Sequence, residues 1–465
     1  PLGPTGFGDS PYQCFSAFGG NPYLISNSVL YGEGLLRKTD LDDRPAFPAE
    51  RADYGAAIPW KLTSLHRAYL HFLEQNSHEL KEAFESFVSN EASWLEDFAL
   101  FMAIKAAQGG ASWEGWPEDL RRRDAAVLAK FSKEHARSID EQRFDQFLFF
   151  RQWDKLRAHA RERGITITGD IPIFVAYDSA DTWAHPELFL LDEEEKPVAV
   201  AGVPPDYFSK TGQLWGNPLY RWEAHENEGF AWWIERVKST LKLVDIIRLD
   251  HFRGFCGYWE IPAGMPTAEV GRWVPGPGKA FFDAQRQALG DLPFIAEDLG
   301  FITPDVVALR DELGLPGMKI FQFAFATDPK DAFLPHNYPT HCVAYTGTHD
   351  NDTARGWFET APDKDRRFCL RYLDRNGENI SWDMIRAVWS SVATMSLAPL
   401  QDFLSLGSEG RMNFPGKPSD NWTWRYTPAV LSDELAERIY ELGYLYGRLN
   451  PLSRPQKAES EAAAP

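Results

Sequence analysis

From about residue 165 onward the sequence repeats one unit, a short β-rich apolar run followed by a longer connecting segment. The runs are "ITITGDIPIFV", "VDIIRLDHF", "PFIAEDL", "GMKIFQFAF", "CVAYTGTHD" and "SLAPLQDFL", and stretches between them such as "SWDMIRAVWSSVA" read as helix. Strand then helix, repeated, demands crossover connections and therefore a parallel sheet. Apolar runs in such a sheet are covered on both faces, so charge at their ends must be paired or hydrogen-bonded. The run "VDIIRLDHFRGF" ends in Arg248, Asp250, His251 and Arg253. Asp170 follows "ITITG", Glu297 follows "PFIA" and Asp350 closes "CVAYTGTH". Polar and acidic strand ends predict an α/β fold, a closed (β/α)8 TIM barrel rather than an open doubly wound sheet, because barrel chemistry gathers at the carboxyl ends of several strands. All four carboxylates are expected at the same height, converging on one pocket. No GxGxxG or GxxxxGK[ST] follows any run, which removes the main support for nucleotide binding.

Composition narrows the partners. The 465 residues are 44% hydrophobic and carry a formal charge of -19, with no dense stretch of Lys and Arg. Nucleic acid is therefore not an expected partner. Cys14, Cys256, Cys342 and Cys369 are scattered, with no CxxC pair and no zinc-ligand spacing, which fits a reducing cytoplasm. No apolar run of about 18 residues and no basic-then-apolar leader occurs, so no membrane association and a cytoplasmic location are expected. Nothing in the sequence calls for a metal or cofactor.

Organisation along the chain reads as one catalytic domain over 1–465 with two insertions. Residues 30–160 form a mostly helical insertion, in which Leu62, Leu65, Tyr69, Phe72 and Leu73 recur at helical spacing and Ser93 with Glu96 makes a capping box before an apolar run. Residues 176–222, rich in Pro, Gly and aromatics, read as a loop-rich insertion over the active site. Residues 453–465 read as a flexible tail.

Converging carboxylates suit retaining cleavage of a glycosidic bond, which needs one ionised nucleophile and one protonated partner. Residues two apart on a strand share a face, so Arg248 is expected beside Asp250, keeping it ionised for attack. Glu297, behind its apolar lead-in, suits the acid/base role, and Asp350 the binding of ring hydroxyls. Taken singly, an acid at a strand end is more often a cap or ion-pair member, and Arg248 with Asp250 alone could be a buried salt bridge.

The stretches "GDIPIFV", "IIRLDHFRG", "FIAEDLG" and "YTGTHDNDT" resemble the four signature regions of the α-amylase superfamily. "PLGPTGFGDSPYQ", "GVPPDYFSKTGQLWGNPLY", "PGMKIFQFAF" and "GSEGRMNFPG" resemble, in matching order from Pro1 to about Leu452, the amylomaltase family of 4-α-glucanotransferases, glycoside hydrolase family 77. The resemblance implies that Asp250 forms a β-glucosyl ester, Glu297 is the general acid/base and Asp350 binds the distorted glucose. It implies further that Arg248 and His349 reach the same ring, that Tyr12 stacks on it, and that Asp170, matching a carboxylate of the family's first region, is a substrate-binding residue. By the same resemblance Tyr207 and Phe208 lie in a loop arching over the cleft, Trp215 stacks on a donor glucose, and Asn413 belongs to the facing loop. Tyr54 matches a tyrosine of a second glucan site, whereas Phe7 stands where a tyrosine is usual. A strand and helix precede "PLGPTG" in the family, so the first βα unit is expected to be missing upstream of Pro1. The implied activity is disproportionation of α-1,4-glucans and maltooligosaccharides, with some cyclisation. An α-amylase-type hydrolase and a non-catalytic glucan-binding protein remain alternatives.

Overall fold

The computed structural model describes residues 1–75, 77–205, 209–417 and 419–450. Tyr207, Phe208 and the expected tail lie outside the described residues. The chain divides into two compact units, one of Pro1–Phe47, Asp53–Ala158 and Thr168–Pro293, the other of Pro48–Ala52, His159–Ile167 and Phe294–Pro465.

The first unit opens with a helical body that includes helices Tyr54–Glu74, His78–Asn90, Ala92–Ala107 and Ala125–Glu134. Leu65, Tyr69 and Phe72 are buried along one face of the first of these, and the Phe72 ring stacks on Phe144 at 4.4 Å, as the 3.6-residue repeat requires. Leu62 and Leu73 share the apolar spacing but remain 43% and 44% exposed, at the edge of that face. The expected capping box at Ser93 and Glu96 does not form. The helix starts two residues earlier, after Glu91, whose carboxylate accepts from the Trp94 indole at 2.8 Å and from Lys242.

Among the described residues six strands follow in this unit: β1 (Thr168–Ile171), β2 (Ala199–Val203), β3 (Gln213–Pro218), β4 (Ile246–Leu249), β5 (Gly257–Pro262) and β6 (Arg272–Pro275). β1 and β4 pair in parallel with Asp170 opposite Arg248. Gly169 permits the close approach behind them, because a Cβ there would lie 2.6 Å from Val244 Cγ1. Arg157 secures the lead into β4: its guanidinium donates to the carbonyls of Leu241, Lys242 and Val244 and to Asp245, satisfying the carbonyl end of helix Ala231–Leu243. The remaining strands form an antiparallel sheet in the order β3-β2-β5-β6. The stretch expected to be loop-rich therefore carries two strands of its own, with an irregularity between Val200 and Gly202.

The second unit holds β7 (Phe294–Ala296), β8 (Gly317–Ile320), β9 (Cys342–Tyr345) and β10 (Met395–Leu397). The last three form a parallel sheet in the order β10-β9-β8, and the Ala296 N–H donates to Pro316 O at 2.9 Å beside β8. Helices Pro304–Glu312, Asp363–Leu373 and Ile380–Trp389 supply the crossovers. Phe321, Phe325, Met384 and Val388 pack as a core with Ala344 of β9. Both units are thus α/β in content, and every apolar run singled out from residue 165 onward contains a strand. Among the described residues no helix is long and apolar enough to cross a membrane, and no group of acids, histidines and cysteines has the arrangement of a metal site.

Candidate active site

In the first unit the strand register builds a cluster of acidic and basic side chains. Side chains two positions apart point to one face, and parallel pairing sets Asp170 beside Arg248. A single nitrogen of Arg248 consequently donates to Asp170 Oδ1 at 2.9 Å, Asp170 Oδ2 at 2.8 Å and Asp250 Oδ1 at 3.0 Å. The Asp250 N–H donates to Ile171 O, which fixes the backbone one residue beyond β4. The Tyr12 hydroxyl donates to Asp170 Oδ2 at 2.5 Å. Burial, reinforced by the charge of Asp170, holds the Tyr12 phenol well above its ordinary pKa, so it remains a donor.

His251 follows at φ 51°, in the left-handed region, where the chain leaves the strand. Its ring meets Trp215 edge-on at 4.9 Å, and burial, aided by Arg253, pushes its pKa down to about 3, leaving it neutral. Trp215 projects from β3, half-buried, with its indole donating to Gln213 at 3.2 Å. Tyr54 begins the first long helix, half-buried, and its phenol is raised by burial and by the charge of Asp9 rather than by the Asp170 cluster. Phe7 is 78% exposed.

In the second unit Glu297 stands one residue beyond β7 and accepts from the Leu299 N–H at 3.1 Å. Asp298 anchors this strand end: its carboxylate accepts from the Met318 N–H at 2.7 Å and from Arg310 at 2.5 Å. Asp350 lies in the loop after β9. Asn413 donates to Asp350 Oδ1 at 2.7 Å, and His349 Nε2 lies 3.5 Å from the same oxygen. Arg411 donates to the Asp350 carbonyl at 2.7 Å and to the Asn413 carbonyl at 2.8 Å, its guanidinium resting on Phe414. The Asn413 N–H closes the assembly on His349 O, and the Trp422 ring lies 5.5 Å from His349. The Asp350 side chain keeps 42% exposure.

The same place at a strand end, expected of all four acids, is found for Asp250 after β4 and for Glu297 after β7, each one residue beyond its own strand, but not for the other two. Asp170 lies within β1, and Asp350 belongs to a loop well past Tyr345, because "TGTH" leaves the sheet before the acid is reached. Tyr12, Asp170, Arg248 and Asp250 are gathered in one unit, and His349, Asp350 and Asn413 in the other. Sequence reasoning missed Arg411 and Asp298. Both flank residues it did single out, but nothing in their spacing shows that either folds back to brace a neighbour.

The 4-alpha-glucanotransferase family matches residues 1–431 of the chain. The 4-alpha-glucanotransferase of Thermus thermophilus is 52% identical over 457 residues, covering 97% of this chain and 91% of that protein. That of Synechocystis is 50% identical, covering 96% and 90%. The structure of amylomaltase from Streptococcus agalactiae in complex with acarbose superposes with a TM-score of 0.93 at 38% identity, covering 97% of this chain and 91% of that one. Fold and strand-end acids together define an α/β protein of the amylomaltase type. The chain belongs to the 4-alpha-glucanotransferase family.

Proposed function

We propose that this protein is a retaining 4-α-glucanotransferase, moving a segment of an α-1,4-glucan to the 4-hydroxyl of another glucan, maltooligosaccharide or glucose. The observation that carries the reading is the cluster at the end of β4, where Arg248 holds Asp250 and Asp170 in fixed array, in a chain of this family. Asp250 attacks the anomeric carbon while Glu297 protonates the departing 4-oxygen, forming a β-glucosyl ester and releasing the reducing-end portion. Glu297, now ionised, takes the proton from an acceptor 4-hydroxyl, which displaces Asp250 and restores the α-linkage.

The other groups bind and orient. Tyr12, kept protonated, fixes Asp170. Asp350, with His349 and Asn413 attached, accepts from ring hydroxyls, and Trp215 offers an apolar face to a sugar. Tyr207 and Phe208 retain their proposed part as a cover that excludes water, and Tyr54 its part in a second glucan site. We read the parallel strands as one (β/α)8 barrel and the setting as the cytoplasm, a reading supported by four cysteines scattered along the chain with no CxxC pair. Cyclisation follows when a long donor's own end is the acceptor. Incubation with maltotriose tests the proposal: glucose plus a ladder of longer oligomers is expected, whereas only glucose and maltose would replace transferase by hydrolase.

A further inference from the structure

The loop after β9 carries both His349 and Asp350, and its two feet rest on one side chain. Asp402, in the short helix Leu400–Phe403, is completely buried. Its Oδ2 accepts from the Thr346 hydroxyl at 2.6 Å, at the first foot, and its Oδ1 accepts from the Ala354 N–H at 2.7 Å, at the second. The chain that leaves Asp402 then braces the loop between its feet. Ser408 donates to the Asp352 carboxylate at 2.6 Å, Arg411 to the Asp350 carbonyl, and Asn413 to the Asp350 carboxylate. Gln322 adds a further link, donating to the Asp352 carbonyl at 2.8 Å.

We infer that Asp402 is a positioning residue, which sets the span of loop 346–354 and so the placement of His349 and Asp350 toward the sugar. The inference rests on the reading of Asp350 as a substrate-binding carboxylate. Both of Asp402's hydrogen bonds come from neutral donors, and a carboxylate held this way is expensive to bury. Burial pushes its carboxyl up to about 6, against the pull of the Thr346 hydroxyl and the Ala354 N–H, while the charge of Asp352 adds to the rise. A side chain needed only to fill space would be apolar here. What a carboxylate supplies, and an apolar group cannot, is two rigidly spaced acceptors joining a strand end to a helix start. The helix Ala354–Thr360 begins at that second contact, so its first turn and the strand end are held at a fixed separation.

The chemistry of the two links distinguishes substitutions. Asp402→Ala removes both. Asp402→Asn retains them, because the amide oxygen still accepts from Ala354 N–H and the amide nitrogen can donate to Thr346 Oγ1 once that hydroxyl turns to accept. Thr346→Val cuts the first link alone with little change of volume.

These variants are assayed for maltotriose turnover, with amide hydrogen exchange over 346–354 measured on the same preparations. Asp402→Ala is expected to lower kcat by roughly 10²-fold with KM altered less than about threefold, as for a displaced substrate-orienting group. The Ala354 amide should exchange faster, and Asp402→Asn should restore kcat to within about fivefold of the parent. Should Asp402→Ala not fold, Thr346→Val carries the test with a fall of roughly tenfold in kcat. A kcat within about twofold of the parent in both Asp402→Ala and Thr346→Val overturns the inference, as does an Asp402→Asn variant as impaired as the alanine. If the unmodified protein does not lengthen maltotriose, it is the functional reading that fails. The exchange data then judge the positioning alone, and unchanged protection at Ala354 in Asp402→Ala rejects it.

Discussion

Replacing Arg248 by Met preserves most of the apolar stem and deletes the guanidinium, and the surroundings fix what this should cost. The three side chains are mostly buried, Arg248 at 11% exposure, Asp170 at 13% and Asp250 at 25%. One nitrogen serves three carboxylate oxygens between 2.8 and 3.0 Å away. A unit-charge pair near 4 Å interacts by about 4 kcal/mol at an effective dielectric near 20, and part of that offsets the desolvation of the arginine itself. Deleting one member of a buried pair leaves the others uncompensated and typically costs about 3–5 kcal/mol. The partial exposure of Asp250 puts the expectation at the lower end, about 3 kcal/mol, a large share of the usual 5–15 kcal/mol of a domain. Chemical denaturation of Arg248→Met, Asp170→Asn and the double variant measures it. Removing the Asp170 charge should relieve the repulsion, so the double variant should be more stable than Arg248→Met alone, with a coupling of at least about 1 kcal/mol. A loss below about 0.5 kcal/mol in Arg248→Met, or strict additivity in the cycle, would refute the idea that this arginine holds the strand end together.

Three further outcomes follow from the geometry and the proposed roles. Asp250→Asn and Glu297→Gln should each lower turnover of maltotriose by about 10³-fold or more while leaving the melting midpoint near that of the parent; near-normal rates in either would remove that residue from the mechanism. Trp215→Ala should raise KM for maltooligosaccharides about three- to tenfold with kcat largely kept, matching the worth of one aromatic face, and steady-state kinetics that show no change in KM would take the ring off the substrate. His225 is fully buried, and burial pushes it down to about 4, so between pH 6.5 and about 4 the unfolded chain holds a proton that the folded chain does not. Stability should therefore fall by up to about 3 kcal/mol as pH drops through that window. Melting midpoints against pH should be flatter there for His225→Phe, and equal slopes would exclude His225 as the cause.

The parallel strands were legible because each is a compact apolar run, and the Arg248–Asp250 pair because alternation along a strand dictates a shared face. Asp170 was expected in the same pocket, but its place directly opposite Arg248 comes only from the pairing of β1 with β4, since register is a property of two segments and not of one. The antiparallel sheet left little trace: β5, "GYWEIP", and β6, "RWVP", mix aromatics with charge and are only partly buried, so no period stands out. The start of the helix at Ala92 escaped because Ser93 and Glu96 imitate a cap, while the acid at Glu91 found better use with Trp94 and Lys242. Arg411 reaches back 61 residues to Asp350, and no local pattern encodes a contact over that separation. Asp402 sits in "SLAPLQDFL", whose apolar character announces a strand but hides that the acid falls just beyond it, on a helical turn.

The register of β1 against β4 also bears on how such chains can diverge. Adjacent side chains on a strand face opposite ways, so adding or losing one residue between the start of β1 and Asp170 would turn that acid toward the wrong side and bring Gly169 or Ile171 opposite Arg248. Lengthening the chain outside the two strands carries no such penalty. Natural variation in length among relatives should therefore accumulate in the connections and leave the short intervals "TGDI" and "IIRLD" fixed, whatever substitutions their apolar positions accept.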